Sequence, residues 1–196
     1  MKTDTGPTRV SQALAARRSA WEEAGRELAR VEALGADCIG CLQAGGQVVF
    51  CGNGGSAAMS EHLAAELVGR YEVSDRPPLA ARALSANSAT VTALGNDLGQ
   101  ATVFARQIEA VCRTGDIVVA LSTSGTSENI VAALAMARQR GCIAGLFTGD
   151  AAPPGLSSAV THLVRAPARR TSVIQELHLF YGHLLCELIE AAFTSR

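Results

Sequence analysis

Apolar residues run along this chain in two rhythms that take turns. Short β-branched or aliphatic runs at residues 47–51, 79–84, 116–121, 141–148 and 161–165 read as strands, and the stretches between them place apolar residues at helical spacing. Helices are predicted at residues 57–70, 85–94 and 100–112, then from Ile130 through Leu134 and Met136/Ala137 until Gly141 stops the pattern. A last helix is predicted at residues 171–193, where Val173, Leu177, Phe180, Leu184, Leu188 and Ala191 form one stripe. The 85–94 helix is expected to end at Gly95-Asn96-Asp97, and the Pro/Gly-rich residues 149–158 to be loop with at most one helical turn. Strands alternating with helices imply an α/β fold with a doubly wound five-stranded parallel sheet in the flavodoxin-like order 2-1-3-4-5.

Residues 10–42 come before this alternation and are rich in Ala, Leu, Glu and Arg. Leu14, Trp21, Leu28, Val31 and Leu34 recur near helical spacing, which predicts one long helix or two broken near Gly35. That stripe needs a surface, either its own domain or a partner subunit. Residues 1–8 are polar, contain Gly6 and Pro7, and are expected to fray. The pattern thus divides a helical segment, residues 1–44, from an α/β domain, residues 45–196.

Two strand-to-helix turns carry unusual chemistry. Leu121-Ser122-Thr123-Ser124-Gly125-Thr126-Ser127 puts five hydroxyls at the amino end of a helix, where backbone N–H groups lack partners and the dipole favours an anion. An N-cap needs only one hydroxyl, so the loop reads as a phosphate site. No Lys follows Gly125, which points to a phosphate monoester held by neutral donors and away from a nucleotide triphosphate loop. The other turn, Gly52-Asn53-Gly54-Gly55-Ser56, lacks the GxGxxG spacing of a dinucleotide fold; its glycines let backbone approach a small polar ligand.

Length and charge narrow the field. The 196 residues suffice for one α/β domain with an extension, and a net charge of −1 gives no footprint for nucleic acid or a membrane surface. No apolar run is long enough to span a bilayer and no signal-peptide core precedes the first helix, so a cytoplasmic protein is expected. The six cysteines read as reduced thiols used for packing, including the lone Cys38-x-x-Cys41 pair.

Four polar residues stand out at helical spacing. His62 and Glu66 share a face of the helix after the first turn, and Gln175 and His183 share the otherwise apolar stripe of the last helix. Buried polar groups need partners, and the nearest available to these four are one another, a metal or a ligand. His178, Glu176, His162 and Glu61 lie off those faces and read as packing or surface residues.

Together, GNGGS with His62 and Glu66, the Gly95-Asn96-Asp97 triplet, the serine loop at 122–127, and Gln175-Glu176 with His183 resemble the sugar isomerase (SIS) domain, and within it the phosphoheptose isomerases. The resemblance covers residues 10–193. It implies a homotetramer with shared active sites, the first 44 residues serving oligomerisation, that interconverts sedoheptulose 7-phosphate and D-glycero-D-manno-heptose 7-phosphate, or a close epimer, through an enediol. Carried over by position, Glu66 is the base and His183 the acid. Asn53, Gly54, Gly55, Ser56, Glu66, Asn96, Asp97 and Gln175 contact substrate, and Ser122, Thr123, Ser124 and Ser127 hold its phosphate. His62, Glu66, Gln175 and His183 would ligate one zinc ion per subunit. The chain departs from some relatives at Ser172, where they carry an acidic residue, and at Ala57-Ala58, where they carry polar ones. The alternative is a non-catalytic relative, either a sugar-phosphate-binding module or a replication-initiator-associating protein; the presence of both Glu66 and His183 favours the enzyme.

Overall fold

The computed structural model describes residues 8–194, so the expected fraying of the first residues falls largely outside the described part. Helix α1 (Arg9–Ala24) is joined by a 3-10 turn at Gly25–Glu27 to α2 (Leu28–Gln43). The α/β alternation follows as β1 (Val48–Gly52), α3 (Gly55–Val68), β2 (Ala81–Ala83), α4 (Ser88–Leu98), α5 (Val103–Val111), β3 (Ile117–Leu121), α6 (Glu128–Gln139), β4 (Ile143–Gly149), β5 (His162–Ala166) and α7 (Thr171–Phe193). All strand pairs are parallel, and the order is β2-β1-β3-β4-β5. This is the doubly wound sheet that the alternation predicted.

The central strands are buried along their whole length, as parallel strands covered on both faces must be. Val48, Phe50, Ile117, Val119 and Leu121 point into a core shared with α2, α3 and α7. Val49, Cys51, Val118 and Ala120, which alternate with them, point into the opposite core with α5 and α6. Each strand therefore feeds two cores, and α3 and α7 are pressed together on one face of the sheet.

Three local expectations are corrected. The break in the amino-terminal helices falls at Gly25–Glu27; Gly35 lies inside α2, where a Cβ would stand 3.1 Å from Leu188 Cδ1, so this glycine lets α2 close on α7. Helix α4 runs through Gly95, Asn96 and Asp97 and stops at Gly99, whose φ of +87° only glycine adopts easily. Strand β2 keeps only three residues of the predicted run, each paired with β1 at one edge of the sheet. The amino-terminal stripe divides: Val31 and Leu34 are buried against the sheet, whereas Leu14 and Trp21 stay 51% and 43% exposed. All six cysteines are free and buried, as packing residues should be. Among the described residues no helix is long and apolar enough to cross a membrane.

Candidate active site

The switch point of the sheet lies between β1 and β3, and the two unusual turns leave its carboxyl edge side by side. The first turn is tight for identifiable reasons. A Cβ on Gly52 would stand 2.6 Å from the Ser56 carbonyl oxygen, and Gly54, the N-cap of α3, has φ +55°. Buried Ser56 donates its backbone N–H to the Asn53 carbonyl and starts the helix.

The second turn braces itself with its own hydroxyls. Ser122 is buried and its Oγ accepts the Gly125 N–H at 3.1 Å, while exposed Ser124 accepts from the Thr126 N–H at 3.2 Å. Gly125 has φ +69° and packs so closely that a Cβ would stand 2.5 Å from Leu156. Ser127 is the N-cap of α6, yet its hydroxyl makes no capping bond, which leaves it free to meet a ligand. Thr123 is half-buried beside it. Asn53 and Asn129 tie the two turns together through reciprocal amide hydrogen bonds of 2.9 and 2.8 Å. Asn129 was not among the predicted site residues; the only sequence signal for it was a polar residue in the first turn of α6.

A second cluster lies along the α3–α7 seam. Leu63 of α3 packs on Gly182 of α7, where a Cβ would stand 2.6 Å from Leu63 Cδ1, and the neighbours of these two residues face each other. His62 Nε2 meets His183 Nε2 at 2.8 Å, and Glu66 Oε1 lies 3.5 Å from the same His62 nitrogen. Burial, then the neighbouring His62, pushes the His183 pKa below its ordinary value, with Glu66 opposing. Tyr71, from the loop after α3, lies over His183 with ring centroids 5.6 Å apart. Nothing in the local sequence pattern marked Tyr71.

The remaining predicted residues lie elsewhere. Gln175 sits against Gly55, where a Cβ would stand 2.7 Å from its amide nitrogen, in an open groove of about 350 Å³ that also includes Ser172 and Met59. Asn96 and Asp97 are exposed on the last turn of α4 and pair with each other at 2.7 Å. Among the described residues, no group of three or more His, Cys, Asp or Glu side chains is arranged as a metal cage; the two imidazoles close directly on each other. A larger cleft of about 860 Å³ lies across α2 and β5, but its charged groups already have partners: His162 with Asp37 at 2.7 Å, and Arg30 with Glu27 at 2.6 Å.

Comparison with known proteins converges on one family. A family model described as the SIS domain matches residues 13–148. A phosphoheptose isomerase from Akkermansia muciniphila is 47% identical over 160 residues, covering 82% of this chain and 84% of the relative. One from Bradyrhizobium sp. is 44% identical over 193 residues, covering 97% and 96%. The chain belongs to the SIS-domain phosphoheptose isomerase family. The solved structure of a phosphoheptose isomerase from Francisella tularensis superposes with a TM-score of 0.89 at 31% identity, over 93% of this chain and 97% of that one. This SIS-domain protein is accordingly an isomerase.

Proposed function

We propose that this isomerase interconverts sedoheptulose 7-phosphate and D-glycero-D-manno-heptose 7-phosphate, or a close epimer, through an enediol. The observation that carries the reading is the meeting of half-buried Glu66 and His183 with the exposed His62, a carboxylate beside two imidazoles in one seam. From the ketose, the Glu66 carboxylate removes a proton at C1 while His183 gives one to the C2 oxygen, leaving the enediol. The O1 proton then passes to the deprotonated His183 ring, restoring the neutral imidazole, and Glu66 returns its proton to C2, forming the aldehyde at C1. A lowered pKa keeps His183 neutral at neutral pH, so its ring can both give and take a proton.

The serine loop supplies the phosphate site, with Ser124, Ser127 and the first N–H groups of α6 as neutral donors. Asn53, Gly54 and Gly55 border the sugar, with Gln175 above Gly55; Asn96 and Asp97, exposed on α4, come in as further contacts on the family resemblance alone. About 16 Å of helix separates Gly55 from Glu66 along α3, so the glycine turn that borders the sugar and the proton-transfer pair of one chain stand far apart for a single substrate. This separation, with the exposed Leu14 and Trp21 on α1, supports a homotetramer whose sites are shared between subunits. Two imidazoles and a carboxylate are donors that zinc accepts, so His62, Glu66 and His183 would hold the ion in exchange for the present His62–His183 hydrogen bond, whereas Gln175 of the same chain is turned toward Gly55, away from them. Bound there, zinc supplies a Lewis acid for the carbonyl oxygen. Six free cysteines suit a reducing cytoplasm.

The test is conversion of sedoheptulose 7-phosphate followed by NMR, with direct ligand titration alongside. Glu66→Gln keeps the shape but cannot accept a carbon-bound proton, so turnover should fall by about 10²–10⁴-fold while affinity changes little. Wild-type protein that binds the sugar phosphate without converting it, with or without added zinc, would overturn the proposal.

A further inference from the structure

Beyond Val68 the chain leaves α3 and crosses residues 69–80 before entering β2, and this connection is held from a distance by α7. Glu190 lies on α7 seven residues past His183, about two turns farther along the same face. Its Oε1 accepts the Tyr71 N–H at 3.0 Å and the Arg76 Nε–H at 3.0 Å; its Oε2 accepts the Glu72 and Val73 N–H groups at 2.8 and 3.0 Å. Burial alone would raise the pKa of this carboxyl, but the hydrogen bonds it receives outweigh that and hold it down to about 2.

Arg76 extends the chain of contacts back to α3. Its Nη2 donates to the Glu66 carbonyl at 2.6 Å and its Nη1 to the Leu67 carbonyl at 2.8 Å. Those carbonyls belong to the last turn of α3, where no further residue of the helix can satisfy them. The guanidinium therefore caps α3 at the residue whose side chain is Glu66. The other end of the clasp fixes Tyr71, whose ring lies over His183.

Both charged side chains are almost fully enclosed, Arg76 at 0% exposure and Glu190 at 5%. A buried ion pair is a poor device for stability, since an apolar pair of similar volume often does as well. This one is tied at its remaining polar atoms to backbone, that of Tyr71 and Glu66 among it, so its effect is on geometry. We infer that Glu190 and Arg76 are positioning residues, a clasp that holds the end of α3 and the Tyr71 ring against α7 so that Glu66 and His183 keep their relative placement. The inference rests on the proposed roles of those two residues, and its test separates the two ideas.

Glu190→Gln keeps the shape but sets an NH₂ group against N–H donors. Expected is a fall in kcat of about 10- to 100-fold with KM within about threefold, because misplacement by an ångström at a reacting centre costs about that much. Hydrogen exchange at Tyr71, Glu72 and Val73 should accelerate, and the His183 ring Cε1–H resonance, read at one fixed pH, should move as Tyr71 leaves it. Arg76→Lys keeps a charge for Glu190 but cannot reach both α3 carbonyls, and it carries the same kcat test if Glu190→Gln does not fold. A folded variant with faster exchange and unchanged kcat, or with its loss confined to KM, overturns the positioning role. If wild-type protein converts no sugar phosphate, the proposed reaction falls, and the clasp is then decided by the exchange rates and the His183 signal: unchanged values would overturn it too.

Discussion

Gly182→Ala tests whether the seam between α3 and α7 is as tight as the site requires. The added methyl would stand 2.6 and 2.7 Å from the two Leu63 methyl carbons and 3.2 Å from Leu63 Cγ. Leu63 is itself fully buried, so it has no open space into which to turn. Overpacking of this kind costs about 1–3 kcal/mol. Against it stands the helix preference of Ala over Gly, about 1 kcal/mol. The net expectation is a loss of about 0–2 kcal/mol, or a fall in Tm of up to about 8 °C for a chain of this size. The catalytic effect should exceed the stability effect. The methyl wedges the helices apart beside the 2.8 Å His62–His183 contact, and an opening of under an ångström takes that pair out of hydrogen-bonding range. Urea unfolding and turnover measured on the same preparation would show both. A variant stabilised by the full helix-propensity gain, with wild-type turnover, would refute the claim that this glycine sets the seam.

Further expectations concern phosphate, assembly and acid. Ser127→Ala should raise KM by about 10- to 100-fold with little change in Tm, since its hydroxyl caps nothing and a hydrogen bond to a charged group is worth about 1.5–3 kcal/mol; steady-state kinetics with sugar phosphate decides it. Ser124→Ala should raise KM and also loosen the loop, because Ser124 Oγ accepts the Thr126 N–H. Light scattering should report a tetramer, and a clean monomer at micromolar concentration would count against shared sites. His178 is wholly buried, and burial lowers its pKa from 6.5 to about 4. The unfolded chain therefore binds a proton that the folded one refuses between those values, and stability should decline as pH falls from about 6.5 to about 4. His178→Phe should flatten that part of the stability–pH curve, and an unchanged slope would show that other groups cause it.

The sequence by itself determined the sheet. Continuous apolar runs such as Ile117–Leu121 can be satisfied only by burial on both faces, and the helical periods between them leave few ways to connect parallel strands. It also marked the two turns, because glycine at a positive φ and hydroxyls at a helix start act over a few residues. The last helix was legible in full, Thr171–Phe193, since its stripe is long and uninterrupted.

Tertiary structure decided what depends on residues far apart in the chain. Gly35 looked like a helix breaker, yet it is the point where α2 closes on α7, and Gly95 was absorbed into α4 in the same way. His62 and His183, 121 residues apart, become partners only because Leu63 seats on Gly182. Tyr71, Arg76 and Glu190 carry no local signature, and Asn129 only its place in the first turn of α6, since a polar residue acquires its role from the group that meets it. Gln175 and His183 share a stripe, but eight residues of helix put about 12 Å between them, and the fold turns the first toward Gly55 and the second toward His62. Periodicity tells which face of a helix a residue occupies; only the packing of one helix on another tells what that face touches.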